Sequence, residues 1–181
     1  MAFDLIAGAL QKRRLRIEQA FDEFCGNEPG QTRLELRHLD QLPSLEQFRL
    51  PFDDGEFDWV ACLELIELVA SHERQVRLLR ELLRIARRGI FVSTPNREHP
   101  MVRWLRPERN LNLLDALAIK TMVDVLPGRP AWKLGHVRMA GLKSHYFLMV
   151  WKGEKQLVNG ERPADQAQER EPPSPLVATR S

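Results

Sequence analysis

The chain has 181 residues, with 27 lysines and arginines against 25 aspartates and glutamates, a length that suits one domain with a sizeable core. An apolar share of 43% is ordinary for a globular protein, and a net charge of +2 does not announce a specific nucleic-acid partner. Two cysteines, Cys25 and Cys62, without metal-ligand spacing argue for reduced thiols in a cytoplasmic setting and against a metal site.

Residues 3 to 24 read as a helix, because Leu10, Leu15, Ile17, Phe21 and Phe24 recur at helical intervals. The apolar stretch Leu5 to Leu10 precedes the basic Lys12-Arg13-Arg14, the reverse of a secretory signal, and no uninterrupted apolar segment suffices to span a bilayer. The amphipathic start is read as a helix that docks on the domain. Asn27-Glu28-Pro29-Gly30 breaks it. Arg33 to Leu39 alternates Leu34 and Leu36 with charged residues, the pattern of a half-buried strand. Leu42 to Phe48 fits neither period.

Leu50 to Arg97 carries the densest information. Phe57 to Leu63 (FDWVACL) is short, apolar and β-prone, and follows the turn residues Asp53, Asp54 and Gly55. Cys62 inside it reads as a small packed hydrophobe. Glu73 to Arg88 places Val76, Leu79, Leu82, Leu83 and Ala86 on one helical face. Gly89 occupies the position of a helix C-terminal glycine. Ile90 to Ser93 is a second strand, ended by Thr94-Pro95-Asn96. Strand, crossover helix and strand make a parallel βαβ unit.

Past Pro100 comes a basic, tryptophan-bearing loop, Val102 to Asn110, and then a helix from about Leu111 to Val125 with Asn112 as its cap and Asp115 at the third position. Pro127-Gly128-Arg129-Pro130 ends it. Trp132 to Met139 and His145 to Trp151 read as two strands joined at Gly141. Beyond Lys152 the chain is polar and proline-rich, so residues 1–152 are taken as the domain and 153–181 as a disordered tail.

The segments LPFDDGEFDWV, LELIELV and VSTPNREHP together resemble the second half of class I S-adenosylmethionine-dependent methyltransferases. The closest resemblance is to the small-molecule type that includes the quinone-biosynthesis enzymes. It implies an α/β fold: an incomplete Rossmann-like sheet with helices on both faces and a C-terminal antiparallel hairpin. It also implies S-adenosylmethionine as cofactor and a small-molecule, lipid or sugar acceptor.

The same resemblance nominates residues. Phe21 to Glu28 echoes the family's glycine-rich turn L-D-x-G-C-G-x-G, keeping Asp22, Cys25 and Gly26, while Phe24 and Glu28 stand at glycine positions. The segment equally reads as a plain helix ending at Cys25-Gly26. Asp40 stands in for the acid that holds the ribose hydroxyls, or begins a turn. Glu46 matches the acid that meets the adenine amino group, and Phe48 could pack on a ring. The cofactor-binding candidates are therefore Glu46, Phe48, Cys62, Glu64, Asp40 and Gly26.

Glu64 and Glu67 match the two acids of the family's E-x-x-E-H segment, on one helical face, and Leu68 replaces its histidine. His72 could substitute. Asn96, Arg97 and His99 follow the next strand at the same edge. His99 and Glu67 are the candidate catalytic residues.

Between Gly26 and Leu50 the chain is too short for a helix, strand, helix and strand, so at least one βα unit of the cofactor half is missing. Two readings follow. One is a shortened methyltransferase. The other is a catalytically inactive module that serves as a partner subunit or scaffold. The edge left by the missing strands favours a homodimer or a protein partner.

Overall fold

The computed structural model describes residues 2–26, 28–38, 49–100, 112–139 and 141–153. Asp40, Glu46, Phe48, the loop Val102 to Asn110 and the tail from residue 154 lie outside the described residues.

The first element is a long helix, α1 (Ala2–Cys25). Gly26 follows it at φ 71°, and its N–H donates to Asp22 O at 3.0 Å. A left-handed residue after the last turn is a standard helix stop, and glycine adopts it without a Cβ clash. After β1 (Arg33–Leu36) and β2 (Phe57–Leu63), a 3-10 turn (Ile66–Leu68) leads into α2 (His72–Ile85). Ser71 caps α2 by accepting from Arg74 N at 3.3 Å, and Glu73 lies in the first turn, where the helix dipole favours an acid.

The second βαβ strand differs from the sequence expectation. The helix stops at Ile85, and β3 (Ala86–Pro95) begins at once with Ala86 extended at φ −82°, ψ 139°. Gly89 is therefore a strand residue, paired with Trp59 and Trp151, and no helix C-cap. Pairing of Ala86 with Phe57 outweighs the helical periodicity that reached Arg88. Asn112 likewise does not cap the next helix, α3 (Ala116–Asp124). Asp115 does, accepting from Ala118 N at 2.8 Å. Asn112 instead donates from Nδ2 to Val69 O at 2.9 Å and from its backbone to Glu67 O at 2.9 Å.

The chain closes with the expected hairpin, β4 (Ala131–Met139) and β5 (Leu142–Trp151). The sheet order is β1-β2-β3-β5-β4, with β1, β2 and β3 parallel and the last two pairings antiparallel. This is an open Rossmann-like α/β sheet with helices on both faces.

Alternation along β2 divides the core between the two faces. Trp59, Ala61 and Leu63 meet Ile17, Phe21 and Phe24 of α1, together with Phe91 and Met149. Val60 and Cys62 face the other way, toward Leu79 and Leu82 of α2 and Ile119 and Met122 of α3. Burial on both faces explains why β2 reads as a continuous apolar run.

Candidate functional site

Three parallel strands bring their carboxyl ends to one edge, the edge where open α/β sheets bind ligands. Glu64 stands there, just past β2, at φ 51°. Left-handed backbone at a non-glycine residue is strained, and such strain concentrates at functional positions. The conformation is held from both sides. Glu64 N donates to Ser93 O at 3.0 Å and Ser93 Oγ at 3.2 Å, while the Glu64 carboxylate pairs with Arg13 Nη2 at 2.8 Å. His145 Nε2 lies 3.6 Å from the same carboxylate.

Arg13 reaches this edge because α1 crosses the sheet with Arg13 at the carboxyl edge and Phe24 at the amino edge. Ile17 and Phe21 follow Arg13 at intervals of four and share its face. Between α1 and the ends of β1 and β2 opens a cleft of about 500 Å³, lined by Arg13, Arg14, Glu18, Arg37, His38, Glu64, Leu68 and Ser93 among others.

Its charges are paired across elements. Glu18 accepts from Arg14 Nε at 3.0 Å and Arg37 Nη2 at 3.1 Å. The hydrogen bond from Arg14, aided by Arg37, holds the Glu18 carboxyl below the usual carboxylate range. Arg37 also reaches Glu35 at 2.7 Å. Arg13 Nε is buried and has no hydrogen-bond partner among the described residues.

Of the nominated residues, Glu64 lies in the cleft and Leu68 lines its wall. Glu64 and Glu67 do not share a helical face. Glu64 is left-handed and outside any helix, whereas Glu67, in the 3-10 turn, is fully buried and its carbonyl accepts from Asn112. Cys62 points to the α2 face and is also fully buried. Burial pushes its thiol above its ordinary range, so it is a packed hydrophobe and not a cleft residue.

His99 is 3% exposed and donates from its backbone to Asn96 O at 3.1 Å. Asn96 locks this turn, giving Nδ2 to Lys143 O at 2.7 Å and accepting from Glu98 N at 3.0 Å. His99 does not line the cleft. His72 is exposed at the start of α2.

Gly26 requires a correction. It caps α1 at the amino edge, the opposite end of the sheet from Glu64, where Gly26 O accepts from Arg33 Nη2 at 2.9 Å. Phe24 belongs there too, edge-on to Trp59 and Trp151 with ring centroids 4.7 and 5.0 Å away. The neighbouring Cys25 is buried, and burial raises its thiol to about 12. Phe21 to Gly26 is thus the end of a docking helix and its stop, because Phe21 and Phe24 pack into the core.

Arg13, Ser93 and His145 were not singled out by the sequence. Arg13 carried a usable signal, a cation continuing the apolar stripe of Ile17 and Phe21. Ser93 and His145 carried none beyond lying in strands.

No family model matches the sequence, and no curated protein does. Several solved structures are similar. One is an S-adenosylmethionine-dependent methyltransferase of Thermotoga maritima (16% identity, TM-score 0.43, covering 58% of this chain and 60% of that one). Another is the magnesium protoporphyrin IX methyltransferase of Synechocystis with bound S-adenosylhomocysteine (15%, TM-score 0.39, 55% and 46%). A third is a methyltransferase of Aquifex aeolicus (11%, TM-score 0.49, 75% and 88%). The chain thus spans 60% and 46% of the first two.

Proposed function

We propose that the chain is an S-adenosylmethionine-dependent methyltransferase-like protein whose cofactor and small-molecule acceptor meet in the cleft at the carboxyl ends of β1, β2 and β3. The observation that carries this is the pair Arg13–Glu64. A strained acid and a part-buried guanidinium whose Nε lacks a partner among the described residues face a cavity of about 500 Å³, a size within the roughly 300–1,000 Å³ of small-molecule sites. The cleft's donor set suits the amino-acid end of the cofactor. Arg13 and Arg14 can hold its carboxylate, and Glu64 and Glu18 its ammonium.

The bound cofactor would supply an electrophilic methyl group and a neutral leaving group, so the protein's task is chiefly positioning. Arg13 orients Glu64, and the Ser93 carbonyl and hydroxyl fix its backbone. Glu64, Glu18 and His38 are groups of this cleft that can take a proton from an acceptor. Asp40, Glu46 and Phe48 belong to the segment that follows β1 and are proposed as its cofactor-side residues.

A second reading, the non-catalytic module, is favoured by one specific observation. Between Gly30 and Gly55 the sequence holds no glycine, so β1 leads into no glycine turn that could let the backbone approach a cofactor. Calorimetric titration with S-adenosylmethionine and S-adenosylhomocysteine separates the two. Micromolar dissociation constants are expected for the enzyme. No heat at millimolar ligand overturns it in favour of the module.

Glu64→Gly tests the site itself. Glycine accepts φ 51° freely, and the lost ion pair is a part-exposed one. Stability by urea titration is therefore expected to stay within about 1 kcal/mol of the parent, while ligand binding weakens by about tenfold or more. Equal affinity in Glu64→Gly would place the ligand elsewhere.

A further inference from the structure

At the amino edge of the sheet, opposite the cleft, a second cavity of about 730 Å³ lies between α2, the turn after α3, and the start of β4. Four cations line it: Arg80, Arg84, Arg129 and Lys152. Leu83 and Pro130 supply apolar wall. Two carboxylates, Glu81 and Asp54, are committed to Arg84, at 2.6 and 2.5 Å. Asp54 also lies within electrostatic range of Lys152.

The other three cations form no ion pair among the described residues. Arg80 Nη2 donates to Val125 O at 3.2 Å, and Lys152 Nζ donates to Ala86 O at 3.0 Å. Each retains further donors, since a guanidinium carries five N–H groups and an ammonium three. Arg129 is exposed and held at φ 44° directly after Gly128 at φ 77°. A glycine would adopt this φ without strain, so an arginine here carries a backbone cost.

We propose that this groove binds a small organic phosphate, with Arg80, Arg129 and Lys152 taking the anion and Leu83 and Pro130 packing on its apolar body. Forked guanidinium donors match phosphate oxygens. The excess of positive over committed negative charge supplies the complementarity, and the volume admits a molecule larger than the bare ion. The site is independent of methyl transfer.

Phenyl phosphate, titrated into the ¹⁵N-labelled full chain, tests it. Saturable amide shifts confined to Gly128, Arg129, Ala131, Lys152 and Gly153 are expected in the millimolar range or below. Inorganic phosphate should shift the same amides at least fivefold more weakly, and phenol should not shift them at all. Arg129→Gly, which removes the cation while relieving φ, should weaken phenyl phosphate at least fivefold without lowering the unfolding midpoint. Unsaturable shifts, shifts centred on Glu64 and Ser93, or unchanged affinity in Arg129→Gly with Arg80→Gln would each overturn the proposal.

Discussion

Phe91→Ala is expected to destabilise the protein by about 4 kcal/mol, the middle of the range for a buried phenylalanine. Phe91 is fully buried at the centre of β3. It touches both partners of the α1 face, with ring centroids 5.4 Å from Phe21 and 6.0 Å from Phe24, and it stacks on Phe147 at 5.6 Å and 16°. Truncation removes the ring's transfer free energy, leaves a cavity that β3, paired on both sides, cannot collapse, and forfeits three aromatic contacts. Urea unfolding followed by tryptophan fluorescence measures it, since Trp59 and Trp151 sit in the same cluster.

The result bears on function, because the same helix carries Arg13 to the cleft. If α1 were a peripheral appendage, Phe91 would be half-exposed and its loss would cost less than about 1.5 kcal/mol. In that case the Arg13–Glu64 pair could not define a site.

The βαβ unit was legible because local chemistry and tertiary demand agree along most of it, the exception being Ala86 to Gly89, where strand pairing overrides helical periodicity. FDWVACL is apolar on both faces because both faces are covered, and Phe57–Leu63 emerges with the bounds its composition suggests. Glu73, where the sequence pattern begins the helix, lies in the first turn of α2. The hairpin at Gly141 was readable for the same reason: two β-prone runs separated by a short turn.

The cleft was not legible in this way. Arg13 and Glu64 are 51 residues apart, and Ser93 is 29 from Glu64. No periodicity links them, and only the crossing of α1 over the sheet brings them together. Residues nominated by motif position alone fared according to which way their strand faced. Glu64 lies past the end of β2, where its side chain can turn into the cleft, while Cys62 two residues earlier is fixed by the pleat to the α2 side. Gly26 illustrates a different failure. A glycine after an amphipathic run serves a helix stop and a ligand turn equally well, and the sequence of the turn does not say which end of the sheet it will reach.

The two cavities divide the molecule by the same logic. At the carboxyl edge, cations are matched by Glu18, Glu35 and Glu64, so a ligand must replace existing pairs and can be zwitterionic. At the amino edge, Arg80 and Lys152 donate to backbone carbonyls and, with Arg129, form no ion pair among the described residues, so the proposed ligand there is an anion. A molecule bound at one edge does not compete sterically for the other. Titrations at the two sites are therefore separable, and shifts at Glu64 and at Arg129 can be followed independently.

Gly89→Ala is expected to cost about 2–3 kcal/mol, the range of overpacking in a well-filled core, and Gly89→Asn at least as much. A Cβ at this position would collide with the Val150 carbonyl oxygen and come within 2.9 Å of the Trp59 ring and 3.2 Å of the Phe24 ring. The carbonyl cannot yield, because Ile90 pairs with Val150 in the antiparallel ladder that joins β3 to β5. The rings cannot yield either, since Phe24 and Trp59 are packed edge-on against each other.

The asparagine variant distinguishes this from the helix-end reading. A glycine stopping a helix is needed for its left-handed backbone, a conformation asparagine tolerates better than alanine, so there the asparagine substitution would be the milder change. A glycine needed for close approach penalises side-chain volume alone, and the asparagine substitution is then the harsher. Chemical denaturation of Gly89→Ala and Gly89→Asn side by side reads the sign. If Gly89→Asn proved the more stable of the two, α2 would run on to Arg88 and β3 would begin four residues later, at Ile90, which would also unpair Ala86 from Phe57.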